Sequence, residues 1–217
     1  PSLVILCGFV CLCAVSCSSG NNEKSASGKD AEKTPPPEPV VWNLDNLETI
    51  GGNPVIVIGS PDIIETPEGQ AIAFDGYADG IELGVHPLEG AEAFTLEIIF
   101  RPDGDGPQAQ RFFHLQEDGL DNRILVETRM TGDGQWYLDT YIRSGETDQT
   151  LADSTKVHPA DQWHSAALIF DGREMRHYVD GVKECVAVLP SFTPPKAGKT
   201  TLGVRMNRVY WFKGAIR

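Results

Sequence analysis

The chain has 217 residues, a formal net charge of -13 and a hydrophobic fraction of 41%. The hydrophobic fraction is ordinary for a soluble globular protein, and the residues that follow the N-terminal segment are enough for one domain with a substantial core. Phosphate binding needs a basic patch, so a charge this negative argues against nucleic acid as a partner.

The chain opens with an apolar run from Leu3 to Val15, which has the length of a signal peptide and is too short to span a bilayer comfortably. The run ends in the tetrapeptide AVSC at Cys17, and a polar segment follows at once. This arrangement resembles a bacterial lipobox, in which small residues precede a lipidated Cys. The resemblance implies a signal peptide over residues 1–17, a lipid anchor on Cys17 and, from Ser18, sorting to the outer membrane. An ordinary secretory signal is the alternative.

Residues 18–39 are rich in Ser, Gly, Lys, Glu and Pro and end in the run PPPEP. Such a segment cannot bury enough apolar surface to offset its ordering entropy, and the prolines favour an extended spacer. We therefore expect a disordered tether between the membrane and a domain over residues 40–217. That domain contains a single cysteine, Cys185, so it cannot close an internal disulfide, and we expect Cys185 to be a small buried apolar residue.

From Val40 onward, runs of four to nine residues with alternating polarity are separated by turn residues, which predicts many short strands in a sandwich or barrel. The segment WHSAALIFDGREMRHYVDG, residues 163–181, carries the clearest signal. It reads as two strands joined at Asp171-Gly172, with Asp180-Gly181 beginning the next hairpin, because Gly accepts the positive φ of a tight turn.

Alternation also assigns a face to each side chain. In FTLEIIF we expect Phe94, Leu96, Ile98 and Phe100 to point into the core. We expect this strand to form an antiparallel meander with the three strands that follow it (RFFHLQ, NRILVETRM and QWYLDTYIR). Their other face, predicted to be exposed to solvent, then collects Glu97, His114, Arg123, Glu127, Arg129, Tyr137, Asp139 and Tyr141. Within RFFHLQ we expect Phe113 and Leu115 to be buried and Phe112 to lie on the opposite side.

This outer face mixes acids, bases and phenols, which suit sugar hydroxyls and sugar ring faces. We take seven of its residues as the candidate ligand site: His114, Arg123, Glu127, Arg129, Tyr137, Asp139 and Tyr141. A solvated sheet face without function is the alternative, because antiparallel sheets are normally polar on one side.

The segments AIAFDGYADGIEL, FTLEIIFRP, WHSAALIFDG, MRHYVDG, TTLGVRMN and FKGAIR together resemble a laminin-G-like domain of the concanavalin A-like lectin/glucanase superfamily. The resemblance implies a jelly roll of two antiparallel sheets that binds carbohydrate or a protein partner, with a last strand cut short after Arg217. The family usually has an apolar residue where His177 stands, so we expect a partly buried, neutral imidazole there.

Some relatives hold calcium at the rim of the sandwich, which makes calcium an implied cofactor. Calcium takes several carboxylate and carbonyl oxygens, and the candidates here are Asp75 and Asp79, with Asp103 and Asp105 as a second pair. Each pair also belongs to an Asp-Gly turn, which explains these residues without a metal.

Glycosidases of this superfamily carry carboxylates two residues apart on one strand. No strand of this chain has that pattern, although Glu127 and Asp139 could face each other across two strands. We therefore predict a non-catalytic domain of an exported, lipid-anchored envelope protein that binds carbohydrate or an envelope partner. A hydrolase using those acids, a lyase using His114, Tyr141 and Arg129, and a structural spacer are the alternatives.

Overall fold

The computed structural model describes residues 3–7 and 38–217, and all regular secondary structure in these ranges is β-strand. Cys17 and all but the last two residues of the expected tether lie outside the described residues. Within the described ranges, no helix is long and apolar enough to cross a membrane. The strands are β1 (Leu3–Cys7), β2 (Val40–Trp42), β3 (Thr49–Ile50), β4 (Asn53–Ile58), β5 (Asp62–Thr66), β6 (Gly69–Asp75), β7 (Gly80–Leu83), β8 (Phe94–Pro102), β9 (Ala109–Glu117), β10 (Arg123–Met130), β11 (Gln135–Ser144), β12 (Thr147–Ala152), β13 (His158–Pro159), β14 (His164–Phe170), β15 (Glu174–Val179), β16 (Val182–Val188), β17 (Gly198–Leu202) and β18 (Lys213–Ile216).

Two antiparallel sheets form the predicted sandwich. The first sheet has the order β16-β15-β14-β8-β18-β6-β5, with β1 and β2 paired beside β8. The second sheet has the order β12-β11-β10-β9-β17-β7-β4-β3, and β13 pairs with β11. Non-consecutive neighbours such as β8 and β14 show that the chain crosses repeatedly between the sheets. The all-β, two-sheet class expected from the sequence is therefore confirmed.

Both Asp-Gly hairpins occur where the sequence predicts them. Gly172 has φ 89° between β14 and β15. At the next turn, Asp180 and Gly181 have φ values of 48° and 77°, so both central residues adopt the left-handed conformation that a two-residue hairpin requires.

The core lies between the sheets, and β8 contributes to it as expected. Phe94, Leu96, Ile98 and Phe100 are each at most 2% exposed and alternate with half-buried residues. The facing sheet contributes three aromatic rings and two aliphatic side chains among others: Phe112, Phe113, Trp136, Leu138 and Ile142.

The expected meander is wrong in its first strand. β9, β10, β11 and β12 do follow one another in the second sheet, but β8 lies in the first sheet between β14 and β18. Glu97 therefore does not join the candidate ligand face. Adjacent strands in a sandwich can belong to either sheet because a short loop can turn a corner, and alternation within a strand does not record which sheet it joins.

The position of Phe112 also differs from the prediction. Between β9 and β10 the pairing shifts register, so that Val126 lies opposite Phe113 while Glu127 lies opposite Arg111. Phe112 is the extra residue of this β-bulge, and both phenylalanines are fully buried. The ring of Phe112 stacks on Phe100 of the other sheet with a centroid separation of 4.2 Å.

His177 lies deeper than expected. Its side chain on β15 is fully buried, and its Nδ1 is 3.0 Å from the hydroxyl of Thr140 in the facing sheet. Burial lowers the pKa of His177 to about 4, so the ring is neutral near pH 7. The expected neutral imidazole is consistent with this geometry. Burial is also the main cause that lowers the pKa of His86 to about 4 and of His114 to about 3.

These three histidines make the fold acid-sensitive. Their folded pKa values lie below the unfolded value of 6.5, so the stability that they contribute is complete above pH 6.5 and is lost as the pH falls toward 4. We expect His177→Leu to reduce the slope of unfolding free energy against pH by up to about 1.4 kcal/mol per pH unit in this window, because one proton fewer is taken up. Urea unfolding at a series of pH values measures the slope.

Thr140→Val is the matched control for this prediction. It removes the hydrogen bond of His177 but keeps the titrating ring, so stability should fall while the slope is kept. A wild-type slope in His177→Leu would show that His177 does not contribute to the acid sensitivity.

Candidate functional site

The seven candidate ligand residues share one face of the second sheet, the face turned away from the core. Pairing of β10 with β11 places Glu127 directly opposite Asp139 and Arg129 opposite Tyr137. Leu125 lies between His114 on β9 and Tyr141 on β11. The structure therefore brings these residues together, as the alternation predicted.

The expectation that this face is open to solvent is wrong for most of these residues. His114 and Glu127 are each 1% exposed, Asp139 is 6% exposed and Arg123 is 9% exposed. The physical reason for the burial of His114 is the crossover loop, residues 203–212, which runs from β17 to β18 over β9. Within it, the backbone N–H of Met206 donates to Nδ1 of His114 at 2.9 Å.

His114 is a neutral structural group in this arrangement. Because Nδ1 accepts the Met206 N–H, the proton of the neutral ring lies on Nε2. Burial is the largest cause that lowers the pKa of His114 to about 3, and the neighbouring charges of Arg205, Arg123 and Arg111 act in the same direction. These properties suit a support for the loop better than the acid or base of a lyase.

A network of two arginines and two carboxylates lies beside the crossover loop. The Oε1 atom of Glu127 is 3.0 Å from Nε of Arg111, and its Oε2 atom is 3.0 Å from a terminal nitrogen of Arg129. Neither contact is aligned as a hydrogen bond. Nε of Arg129 donates to Oδ2 of Asp139 at 2.7 Å. Arg129 therefore bridges the two carboxylates that face each other across β10 and β11.

The pKa values of this network follow from burial and charge. Burial is the largest cause that raises the pKa of Glu127 to about 7, and the charge of Asp139 adds to it, while Arg111 and Arg129 act against it. Burial also disfavours the charge of Arg129, but its hydrogen bond to Asp139 and the neighbouring negative charges outweigh burial and raise the pKa. Because this pKa is close to 7, small changes around Glu127 shift its protonation state near neutral pH.

Two tyrosines of β11 flank this network and remain partly accessible. Tyr137 and Tyr141 are half-buried and lie on the same face with Asp139 between them. At about 3.3 Å per residue, their positions are about 13 Å apart along the strand. The guanidinium of Arg123 lies over the ring of Tyr141, 5.0 Å from its centroid, in a cation–π contact.

The far end of the face is closed by a second ion-pair group. Both Arg123 and Arg143 contact the carboxylate of Asp121, which is 56% exposed. The hydroxyl of Tyr141 donates to Asp148 at 3.4 Å. These contacts fix the position of Tyr141 at one end of the face.

Arg111 and Tyr210 also belong to this site, although alternation along the strands predicts neither of them. The guanidinium of Arg111 lies 3.7 Å from the ring centroid of Tyr210, and the N–H of Arg111 donates to the carbonyl of Tyr210. Simple alternation puts Arg111 on the core face with Phe113, and the bulge reverses this. The adjacent phenylalanines in RFFHLQ were the available signal, since strict alternation cannot bury both.

Asp75 and Asp79, the calcium candidates, hold a turn together. One carboxylate oxygen of Asp75 accepts the N–H groups of Tyr77, Ala78 and Asp79 at 2.8, 2.8 and 3.0 Å. Asp79 accepts the N–H of Ser60 at 2.7 Å. Burial acts to raise the pKa of Asp75, but these N–H donors outweigh it and the pKa is lowered. The oxygens left free are few for an ion that takes at least six, and calcium here stays a prediction.

The second calcium pair is engaged in ion pairs. Asp105 contacts the ammonium of Lys213 at 2.6 Å, and Asp103 contacts the guanidinium of Arg101 at 3.3 Å. Both carboxylates therefore have a cationic partner supplied by the chain itself.

Comparison with known proteins agrees with the fold. A family model of the laminin G type, described as the concanavalin A-like lectin/glucanases superfamily, matches residues 75–217. No curated protein matches the sequence.

Three solved structures illustrate the similarity. The heptameric SAP-like pentraxin from Limulus polyphemus is 13% identical over 67% of this chain and 72% of its own, with a TM-score of 0.51. Domain 4 of AbnA, an arabinanase from Geobacillus stearothermophilus in complex with arabinotriose, is 17% identical over 76% and 81%, with a TM-score of 0.50. The sialidase CBM40 of Ruminococcus gnavus, bound to α2,3-sialyllactose, is 17% identical over 73% and 86%, with a TM-score of 0.51. At identities this low the likeness shows the fold alone.

The buried network yields a stability prediction. Arg111→Met should cost about 3 kcal/mol of unfolding free energy at pH 8, because it removes one partner of a buried charge. The loss should shrink at pH 5. The folded pKa of Glu127, about 7, lies above its unfolded value of 4.5, so its contribution to stability is kept at low pH and lost as the pH rises through 7. Urea unfolding at the two pH values measures both effects.

Arg143→Met is the matched control for this substitution. Arg143 is 40% exposed and also pairs with a carboxylate, so its loss should cost under about 1 kcal/mol at either pH. Equal losses in the two variants would mean that the Arg111 pair behaves as a surface pair.

Proposed function

The chain belongs to the concanavalin A-like lectin/glucanase superfamily through a laminin-G-like domain, and we propose that this domain binds a neutral glycan without cleaving it. The proposed binding surface is the outer face of β10 and β11, from Tyr137 to Tyr141. The observation that carries the proposal is the pair of half-buried tyrosine rings on one strand, separated by polar groups held in place by a buried ion network.

The tyrosines suit sugar rings because they combine an apolar face with a polar tip. Asp139, between them, holds the partly exposed guanidinium of Arg129, which lies opposite Tyr137 and offers fixed donors for hydroxyl groups. Preorganised partners reduce the ordering cost of binding, and here the ion pairs already fix both side chains. Solved relatives with this fold include one in complex with arabinotriose and one bound to sialyllactose, which supports a carbohydrate ligand for this chain.

The charge pairing of the face favours a neutral glycan over an acidic one. Arg111 and Arg129 are paired with Glu127 and Asp139, and Arg123 and Arg143 share the carboxylate of Asp121 at the edge. An acidic sugar would have to compete with these carboxylates for the same guanidinium groups. A neutral sugar needs no such exchange.

Binding is favoured over hydrolysis because the two acids that face each other are not available to a substrate. The side chain of Glu127 is 2% exposed and that of Asp139 is 9% exposed, and both are in ion pairs with Arg129. A general acid or a nucleophile must reach the glycosidic bond. The organised charges also favour a binding face over a featureless spacer.

We further propose that the chain is exported and anchored in the cell envelope, in the outer membrane, through a lipid on Cys17. The sequence pattern around Cys17 supports this location. Metabolic labelling with a radioactive fatty acid tests it, because label should enter the wild-type protein and not a Cys17→Ser variant.

Glycan binding gives the third prediction. Tyr137→Ala and Tyr141→Ala should each weaken binding by about tenfold, which corresponds to about 1.4 kcal/mol, because each removes a ring face from the proposed surface. A glycan array with neutral and acidic oligosaccharides identifies a ligand, and calorimetry on that ligand measures the affinity.

Tyr178→Ala is the matched control. Tyr178 is a half-buried strand tyrosine too, but it lies on β15 in the other sheet. Its loss should leave binding unchanged. The proposal fails if no glycan binds, if the bound glycans are chiefly acidic, or if the control weakens binding as much as the two β11 variants. Release of reducing ends from the ligand would instead support a hydrolase.

A further inference from the structure

A separate group of ionisable side chains lies at the seam between the two sheets. His158 is on β13, which pairs with β11 of the second sheet. His164 begins β14 of the first sheet, and Asp180 is in the turn between β15 and β16. One ring nitrogen of each histidine and one carboxylate oxygen of Asp180 all lie within 4.8 Å of one another. The glycan surface proposed above does not include these residues.

The surroundings hold these rings in fixed orientations. Nε2 of His164 lies 2.9 Å from the carbonyl of Pro159, and Nδ1 of the same ring lies 2.7 Å from Oδ2 of Asp180. Nε2 of His158 lies 2.8 Å from Oε1 of Glu184. Both rings pack against Trp136, at centroid separations of 4.9 and 5.2 Å.

The contacts of these ring nitrogens with a carbonyl and a carboxylate are of the kind that accompanies metal-binding histidines. A ligating imidazole usually donates its other N–H to a carbonyl or a carboxylate, which fixes the ring and its tautomer. Here Pro159 supplies a carbonyl for His164, and Glu184 supplies a carboxylate for His158. Both arrangements leave Nδ1 as the nitrogen available to an ion.

The exposure of these side chains and the charge around them also suit a metal ion. The side chain of His164 is 6% exposed and that of His158 is 20% exposed, while Asp180 is 50% exposed at the mouth of the group. Glu184 is nearly buried, and its Oε2 atom has no hydrogen-bond partner within the described residues. The site therefore combines two rigid ligands with one that can move, beside a second carboxyl group.

We propose that His158, His164 and Asp180 bind a zinc-type divalent cation, with the remaining position filled by water. Two imidazoles and one carboxylate are ligands that suit zinc, whereas calcium takes oxygen ligands almost exclusively. Ligands of tetrahedral zinc lie about 2.0–2.2 Å from the ion, so Asp180 must move away from His164 to admit it. The exposed side chain of Asp180 allows that movement.

The position of the site gives the ion a structural effect. Its ligands come from both sheets, through β13 on one side and through β14 and the β15–β16 turn on the other. An ion bound to the folded chain and not to the unfolded chain stabilises the fold by mass action. Zinc should therefore raise the unfolding temperature, and calcium at the same concentration should not act through this site.

The test uses the metal-free, tag-free chain titrated with Zn²⁺, Co²⁺ or Ca²⁺. Calorimetry should show one zinc ion per chain, and Co²⁺ should give the visible absorption bands of tetrahedral coordination. His158→Gln and Asp180→Asn should each weaken zinc binding at least about tenfold and remove the thermal shift. The N–H of Ser165 donates to Asp180 at 2.8 Å in the wild type, and the side-chain amide oxygen that Asp180→Asn introduces can still accept it, so this variant should keep its fold.

Two control variants separate ligation from general damage. Asp171→Asn changes the aspartate of the other Asp-Gly hairpin, and His86→Gln changes a buried histidine outside the group. Both should bind zinc as the wild type does. The proposal is overturned if the wild type binds neither Zn²⁺ nor Co²⁺, if His158→Gln and Asp180→Asn bind zinc normally, or if the controls lose binding equally. The cobalt spectrum of the unmodified chain decides the matter should a variant fail to fold.

Discussion

The β-bulge between β9 and β10 is the constraint on which the candidate site depends. Phe112 has no pairing partner on β10, and this extra residue allows Phe112 and Phe113 both to enter the core. The same insertion turns Arg111 to the outer face, next to Glu127. Without the bulge, alternation would bury a guanidinium among aromatic rings and leave Glu127 without its first partner. One irregular residue thus completes the core and the ion network together.

Much of the fold can be predicted from the sequence because the signals are local. The two Asp-Gly turns set their hairpins through the positive φ of their residues, and the alternation in β8 correctly gives its buried set. Assignment of β8 to the wrong sheet has an equally clear cause. Whether a strand pairs with its successor or crosses the sandwich depends on loop direction and on distant partners such as β14 and β18, and no local pattern contains that information.

Most residues of the candidate site could be predicted from the sequence, but their burial could not. Period-two alternation is sufficient to place Glu127, Arg129 and Asp139 on one face, and their register confirms it. Burial of His114 on that face depends on the crossover loop, about 90 residues further along the chain, where the N–H of Met206 donates to His114. A pattern confined to one strand cannot show that a remote loop covers it. The same reason hides Tyr210 as the partner of Arg111.

The gap between the edge strands β12 and β16 explains why the polar side chains of His177 and Glu184 can be buried there. The edge strands β12 and β16 border a cavity of about 360 Å³, lined in part by Asp153 and Glu184. Next to it, Nε2 of His177 lies 3.9 Å from Oε2 of Glu184, and neither atom has a hydrogen-bond partner within the described residues.

A buried acid and a buried imidazole at this separation each bear a desolvation cost that a hydrogen bond would offset. Water entering from the cavity can reach such groups when several polar partners converge, as they do here. The pair of His177 and Glu184 is therefore held at both ends. Thr140 contacts His177 on the inside, and His158 contacts Glu184 at the rim. Substitutions that close the cavity with apolar groups should on this reasoning isolate Glu184 further and favour its protonated form, since burial already raises its pKa.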